Sequence, residues 1–361
     1  MSAGAPRRVQ VAVVGAGIVG LCTTDALLRR GADAVCLAGG HPGHGQSAGA
    51  ARGFRHLHGD PALTALAVRS AQGWRRLEER AGAELLERGG ALHLRPDPED
   101  GAAALAEAGL EARVLSRAES RPLLPWLAPD AEPLLFDPGG GAVRARPAVA
   151  ALTRFAGDTL VRAQVEAIEP AGDGVALRTT VGEVRAARCV VCAGAGTERL
   201  VAPLGIRLDR VRRAALRLTF PVRTPPPGPV PVWGDRSERY GERAYGAPEG
   251  PDRYAVGLQD VSPPVADPFA ETVPGDADLS DVRARLLAYV RAAFPGLEPH
   301  PVDTVLRLTT AMPGDEDAFG LWERDGVLAF AGHNLFKHAA LLGELIAGAA
   351  LGDDPDPVLR P

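Results

Sequence analysis

Lysine is nearly absent from this 361-residue chain: of its 40 basic residues only Lys337 is a lysine, which leaves 39 arginines. Cysteine is scarce too, with four residues (Cys22, Cys36, Cys189 and Cys192), all in apolar patterns that predict reduced core thiols rather than a disulfide framework. Cys189 and Cys192 make a C-x-x-C, but it lies inside the buried-strand pattern Arg188–Ala193, where alternation sends the sulfurs to opposite faces and disfavours a metal or redox pair. Basic excess is missing: the net charge is -5 and the pI near 5.9, which removes any global attraction to nucleic acid or acidic membranes. Apolar runs stay below 18 residues, and Met1–Arg8 lacks the apolar core of a signal peptide, so the expectation is a soluble, cytoplasmic protein. Neither a G-x-S-x-G elbow nor a GKS/T phosphate loop occurs, which leaves hydrolase and kinase readings without support. Histidine spacing suggests no metal site, since the H-x-H at His56 and His58 is too common to name a ligand pair.

What is present is concentrated at the start. Val11–Val14 is an apolar strand pattern, Gly15-Ala16-Gly17-Ile18-Val19-Gly20 carries three glycines at G-x-G-x-x-G spacing, and an apolar helix from Leu21 to Arg30 follows, closed by Gly31. Strand, tight turn and helix in that order predict a dinucleotide site: the glycines let backbone approach a pyrophosphate, and the helix N-terminus faces it with free N–H groups. A second strand, Ala34–Leu37, completes the βαβ start, yet Ala38 stands where an acidic residue would bond the ribose hydroxyls. Gly39–Gly49, with Ser47, reads as a loop over phosphate or cofactor.

Further along, the pattern predicts an amphipathic helix over Pro61–Ala81 and others near 101–108, 147–157, 279–294 and 336–351. Val190–Thr197 repeats the theme of an apolar strand ending in glycines, Gly194 among them. Nucleotide-type segments at both ends of the chain, with a strand-rich region between, predict a discontinuous cofactor domain (1–82, 140–211 and 301–361) and a substrate domain (83–139 and 212–300).

Lys337 is the most informative single residue. A chain so drawn to arginine that keeps one lysine points to a need for a compact ammonium, next to the Gly332-His333-Asn334 turn that opens the last helix; the competing reading is a solvated lysine. Arg52 and Arg55 follow the phosphate loop and could clamp a carboxylate and face a cofactor, or serve as surface salt-bridge partners.

Taken together, the Val11–Gly20 fingerprint, Gly45-Gln46-Ser47 followed by Arg52-x-x-Arg55-His56, the Val190–Gly196 strand, and Ala331–Lys337 ending in Gly343-Glu344-Leu345 resemble the FAD-dependent amine and amino acid oxidases of the D-amino acid oxidase superfamily. Within it the likeness is greatest to the branch of monomeric sarcosine oxidase and N-methyltryptophan oxidase. The resemblance implies a glutathione-reductase-like, Rossmann-type α/β FAD domain with a mixed-sheet substrate domain. It also implies oxidation of the C–N bond of a small amine or amino acid (secondary, N-methyl or cyclic) to an imine, with hydride transfer to flavin N5. Arg55 and Lys337 would hold the substrate carboxylate and Arg52 would lie against the flavin; Gly15, Ala16, Gly17, Ile18, Gly20, Ser47, Gly194, Gly332 and Lys337 itself would shape the cofactor site. Phe54, Tyr240, Tyr245 and His333 are the expected pocket walls.

The chain departs from that branch in four places. Val305–Ala311 lacks the cysteine that attaches FAD covalently, so FAD is expected to bind noncovalently. Ala255 and Gln259 stand where the branch has a lysine over the flavin and a histidine, and Ala48 replaces another histidine. The expected partner is a small amine or amino acid, with neither nucleic acid nor membrane, in a monomer or homodimer. Two alternatives stay open: a flavin dehydrogenase using an acceptor other than oxygen, and a nucleotide-binding scaffold without catalysis.

Overall fold

The computed structural model describes residues 7–267, 269–275, 277–312 and 317–361. The chain opens with strand β1 (Arg7–Val14), helix α1 (Ile18–Arg29) and strand β2 (Ala34–Ala38). Along β1 the pleat sends Val11 and Val13 to one core and Ala12 and Val14 to another, so both faces of the strand are apolar, as a parallel strand between two layers requires. Helix α1 begins three residues earlier than the apolar pattern alone indicated, because Gly17 serves as its N-cap in extended conformation.

Strand β3 (Ala51–Phe54) and helix α2 (Pro61–Ala81) follow, the helix with the bounds its pattern predicted. Its ends explain why: Asp60 caps it by accepting from Ala62 N at 2.8 Å, Pro61 sits in the first turn, and Gly82 closes it in the left-handed conformation. Leu63, Leu66, Trp74 and Leu77 are buried.

Strand β4 (Gly182–Val191) lies parallel to β1, and β2 lies parallel to β1 on the other side. Strands β5 (Val211–Pro221), β6 (Ala244–Pro248), β7 (Arg253–Leu258) and β8 (Asp303–Ala311) come next, then β9 (Val327–Gly332), which lies parallel to β4, and helix α3 (Ala339–Ala350). The first sheet therefore has a parallel centre, β2-β1-β4-β9, the open nucleotide-binding arrangement in which ligands sit at the carboxyl ends of the strands. Helix α3 packs on α1 so closely that Gly343 lies against Cys22, where a Cβ would clash.

The second sheet runs β8-β5-β7-β6 and continues through Val232–Asp235, Ala91–Leu94, Leu134–Asp137 and Arg113–Leu115. It is mixed, since Val232–Asp235 pairs parallel with Ala91–Leu94 while the others pair antiparallel. Its outer face carries the core of Trp126, Phe220, Tyr254, Tyr289 and Phe294 under the helix Ser280–Ala293. Strand β8 belongs to this sheet by its hydrogen bonds to β5, although the boundary at 301 read from the sequence counts it with the nucleotide unit.

The four cysteines are buried and free. Cys189 sits in the apolar cluster on one face of the first sheet and Cys192 in the cluster on the other, so the C-x-x-C cannot close on a metal. No helix among the described residues is long and apolar enough to cross a membrane.

Candidate active site

A cavity of about 1100 Å³ runs from the β1–α1 turn to the start of the last helix. That exceeds the roughly 300–1,000 Å³ of ordinary small-molecule sites and suits an extended ligand with a second one beside it. At its nucleotide end Gly15 adopts φ +106°, where a Cβ would strike the Cys192 carbonyl, and a Cβ on Gly20 would strike the Gly15 carbonyl oxygen. Here only glycine fits, because backbone rather than a movable side chain fills the space. A Cβ on Gly17 would meet only Ser47 Oγ, at 3.4 Å, so that turn opens toward the cavity. Ser47 Oγ accepts from Ile18 N at 3.0 Å and ties the following loop to the helix N-terminus. Where β2 ends at Ala38, the Gln164 side chain closes on Gly39 and lines the cavity, placing an amide where the sequence lacks its acid.

The other end is cationic. Arg52, on β3, donates to the carbonyls of Ala51 (2.8 Å), Gln46 (3.1 Å) and Ala48, and lies 5.3 Å from the Phe336 ring centroid. The three guanidinium groups of Arg52, Arg217 and Arg307 converge at Gly49: Arg307 Nη2 and Arg52 Nη1 would stand 2.8 and 3.0 Å from a Cβ there. Arg217 sits on β5 and Arg307 on β8, and both reach inward from the same stretch of sheet. Glu249 is a carboxylate at this cluster and pairs with Arg217. Burial and Arg217 together push Arg307 down to about 10, and Nε and Nη2 of Arg307 are buried without a hydrogen-bond partner. Unpaired buried donors are costly, so this cluster is built for an anionic or strongly accepting group.

Lys337 is buried (2% exposed) and lies in a short turn, Leu335–His338, ahead of α3 rather than in the helix itself. The left-handed Asn334 turns the chain at this point, so the helix starts at Ala339 instead of Phe336. Lys337 Nζ donates to Asp317 Oδ2 at 2.9 Å, and Arg55 Nη2 reaches the same oxygen at 3.1 Å. Burial and the Arg55 charge pull the Lys337 ammonium down to about 8, with Asp317 opposing them, while Lys337 and Arg55 hold the Asp317 carboxyl well below its ordinary value despite its burial.

A family model described as FAD dependent oxidoreductase matches residues 10–349. The chain belongs to the FAD-dependent oxidoreductase family. It is similar to a monomeric sarcosine oxidase of Streptomyces avermitilis, 29% identical with 94% of this chain and 93% of the relative covered. An N-methyl-L-tryptophan oxidase of Citrobacter koseri is 25% identical, covering 95% of each. Among solved structures, the open form of NikD, an unusual amino acid oxidase essential for nikkomycin biosynthesis, superposes with a TM-score of 0.86 at 23% identity, covering 98% of each chain. That last likeness establishes the fold.

FAD is thus the cofactor of this flavoprotein, and the residues present fit it: a glycine cradle at a helix N-terminus at one end, and orphaned guanidinium donors at the other. Gly15, Ala16, Gly17, Ile18, Ser47, Gly194, Arg52 and Gly332 all line the cavity, as do Arg55, Tyr245, His333 and Lys337. Gly20 does not line it; its contribution is the close approach of α1 to the turn. Two expected pocket walls lie elsewhere. Tyr240 gives its hydroxyl to Asp130 Oδ1 at 2.8 Å and packs edge-on to Tyr289, outside the cavity. Phe54 is fully buried in the main core, packed edge-on to His56, and does not line the cavity.

The histidines divide similarly. His56 is fixed by Asp137, its backbone N–H donating at 2.9 Å and its ring 3.1 Å from the carboxylate, and His338 Nδ1 meets Ser70 Oγ at 3.0 Å. Asp317, Gln164, Arg217 and Arg307 escaped the sequence reading. Asp317 belongs to no motif, and arginines at 217 and 307 carry no signal in a chain with 39 of them.

Proposed function

We propose that this FAD-dependent oxidoreductase oxidises the C–N bond of a small amine or amino acid, secondary, N-methyl or cyclic, to an imine. The observation that carries this reading is a cavity with a dinucleotide turn at one end and, at the other, a half-buried Arg55 beside the buried Lys337. FAD, when bound noncovalently, supplies the hydride acceptor at its N5. Arg55 and Lys337 orient a substrate carboxylate through charge-assisted hydrogen bonds, which places the carbon next to nitrogen toward the ring. Tyr245 and His333 form walls. Burial lowers the His333 imidazole, so it stays neutral near pH 7 and adds no charge to repel an amine. Arg52, Arg217 and Arg307 stabilise negative charge that accumulates in the cavity on reduction.

The similarity of both curated relatives to this chain over nearly their full length supports an amine or amino acid as the substrate. Anaerobic mixing with a panel of N-methyl, cyclic and ordinary amino acids and their amines tests it: bleaching of the flavin band by a member of the panel is the expected result, and a band that no member changes defeats the proposal. A dehydrogenase is the second reading, favoured by Ala255 and Gln259 on β7 and its margin. Slow reoxidation in air with rapid turnover on an artificial acceptor marks it; prompt peroxide release marks an oxidase in which another group replaces the missing lysine.

A further inference from the structure

The pair assigned to a substrate carboxylate already holds one. Asp317 is buried (3% exposed), and its Oδ2 accepts from Lys337 Nζ at 2.9 Å and Arg55 Nη2 at 3.1 Å. Asn334, the only asparagine in the chain, donates through Nδ2 to the other oxygen, Oδ1. His58 Nε2 stands 3.3 Å from Oδ2, but His58 Nδ1 faces the His56 carbonyl at 2.9 Å and keeps the ring proton there, so the neutral ring brings no hydrogen to the carboxylate. The donors that could grip an incoming carboxylate are therefore those that grip Asp317.

We propose that Asp317 is an internal competitor for the carboxylate clamp and thereby a specificity-determining residue. A carboxylate-bearing ligand must either displace the Asp317 side chain or share its two cations, whereas an amine without a carboxylate meets no such contest. Discrimination between an amino acid and its decarboxylated amine is accordingly small in the native protein and large once the competitor is gone. The physical basis is mass action within one chain: a tethered group held by charge-assisted and neutral donors lowers the apparent affinity of any free ligand for the same donors by the fraction of time they are taken. This proposal rests on the reading of Arg55 and Lys337 as a carboxylate clamp.

The test is a titration of the FAD-loaded protein with sodium acetate at pH 7, followed by the flavin spectrum and, independently of flavin, by calorimetry. Asp317→Asn and Asp317→Ala are expected to bind acetate at least tenfold more tightly than the native protein. Asn334→Gly keeps the left-handed turn while removing the Oδ1 donor, and is expected to tighten binding several-fold; it serves where loss of charge at 317 prevents folding. Lys337→Met identifies the site, because acetate bound at the Arg52, Arg217 and Arg307 cluster would survive that change. Unchanged or weaker acetate binding in the Asp317 and Asn334 variants overturns the competitor and leaves Asp317 as a group that merely positions Lys337. Acetate binding that ignores Lys337→Met instead defeats the clamp reading itself, so the two failures are distinct.

Discussion

At its nucleotide end the cavity is made of backbone, from one short stretch of chain in which three glycines let strand, turn and helix touch; at its substrate end it is made of charge, from Arg52, Arg55, Arg217, Arg307 and Lys337. At Gly15 and Gly20 the first end tolerates no added atom. The second tolerates rearrangement, because long side chains can move, and it already shows an internal carboxylate in the place of a ligand. Shape therefore dominates one end and electrostatics the other, and substitutions at the two should fail in different ways.

The largest effect is expected at the nucleotide end. Gly20→Val sets side-chain atoms against the Gly15 carbonyl with only backbone to give way. It should yield protein without a flavin band and with stability lowered by about 3 kcal/mol or more, as for other severe overpacking; full flavin content in the purified variant would show that the turn can open. Lys337→Met comes next. It should slow anaerobic flavin reduction by amino acids by about 10²-fold or more, the scale for a group that positions and stabilises at the reacting end, while FAD content stays native. Equal loss of flavin in both variants would dissolve the contrast between the two ends.

The pH dependence sharpens it. Lys337 titrates at about 8 in the folded protein against an ordinary 10.5, so carboxylate binding should hold below about pH 8 and weaken as pH rises through it. Between about 8 and 10.5 the unfolded chain keeps the proton that the folded one has lost, so this lysine makes stability rise with pH in that window. Acetate affinity measured from pH 6 to 10 should bend near 8, and Lys337→Met should flatten the profile. Arg307→Leu is a smaller step: removing an orphaned guanidinium should make the flavin midpoint potential more negative by about 30 mV, a tenfold change for a two-electron couple, with no change in flavin content. Tyr240→Phe closes the series. It loses one hydroxyl hydrogen bond to Asp130, about 0.5–1.5 kcal/mol of stability, and should leave the rate of flavin reduction unaltered.

The parts legible in the sequence are those that physics writes locally. The β1–α1 turn could be read because a G-x-G-x-x-G between an apolar strand and an apolar helix has few other uses, and α2 could be bounded because Asp60, Pro61 and Gly82 are its cap, first turn and stop. Lys337 stands out by its rarity and by the glycine turn beside it. Its surroundings are not legible there: the pattern predicts a helix from Phe336, and only the left-handed Asn334 shows why Lys337 sits in a turn before it. From the sequence Tyr240 and Phe54 read as pocket walls, but tertiary packing decides what a side chain meets, and both are taken up elsewhere.

The sequence by itself determined the cofactor class and the element order, since the glycine turn and the apolar periods act over a few residues. Only the tertiary structure decided which charges meet. Arg217 and Arg307 are brought together by the pairing of β5 with β8, and Asp317 reaches Arg55 across 262 positions of chain. Electrostatic partners are chosen by distance in space, and burial multiplies their effect, so no spacing in the sequence encodes them.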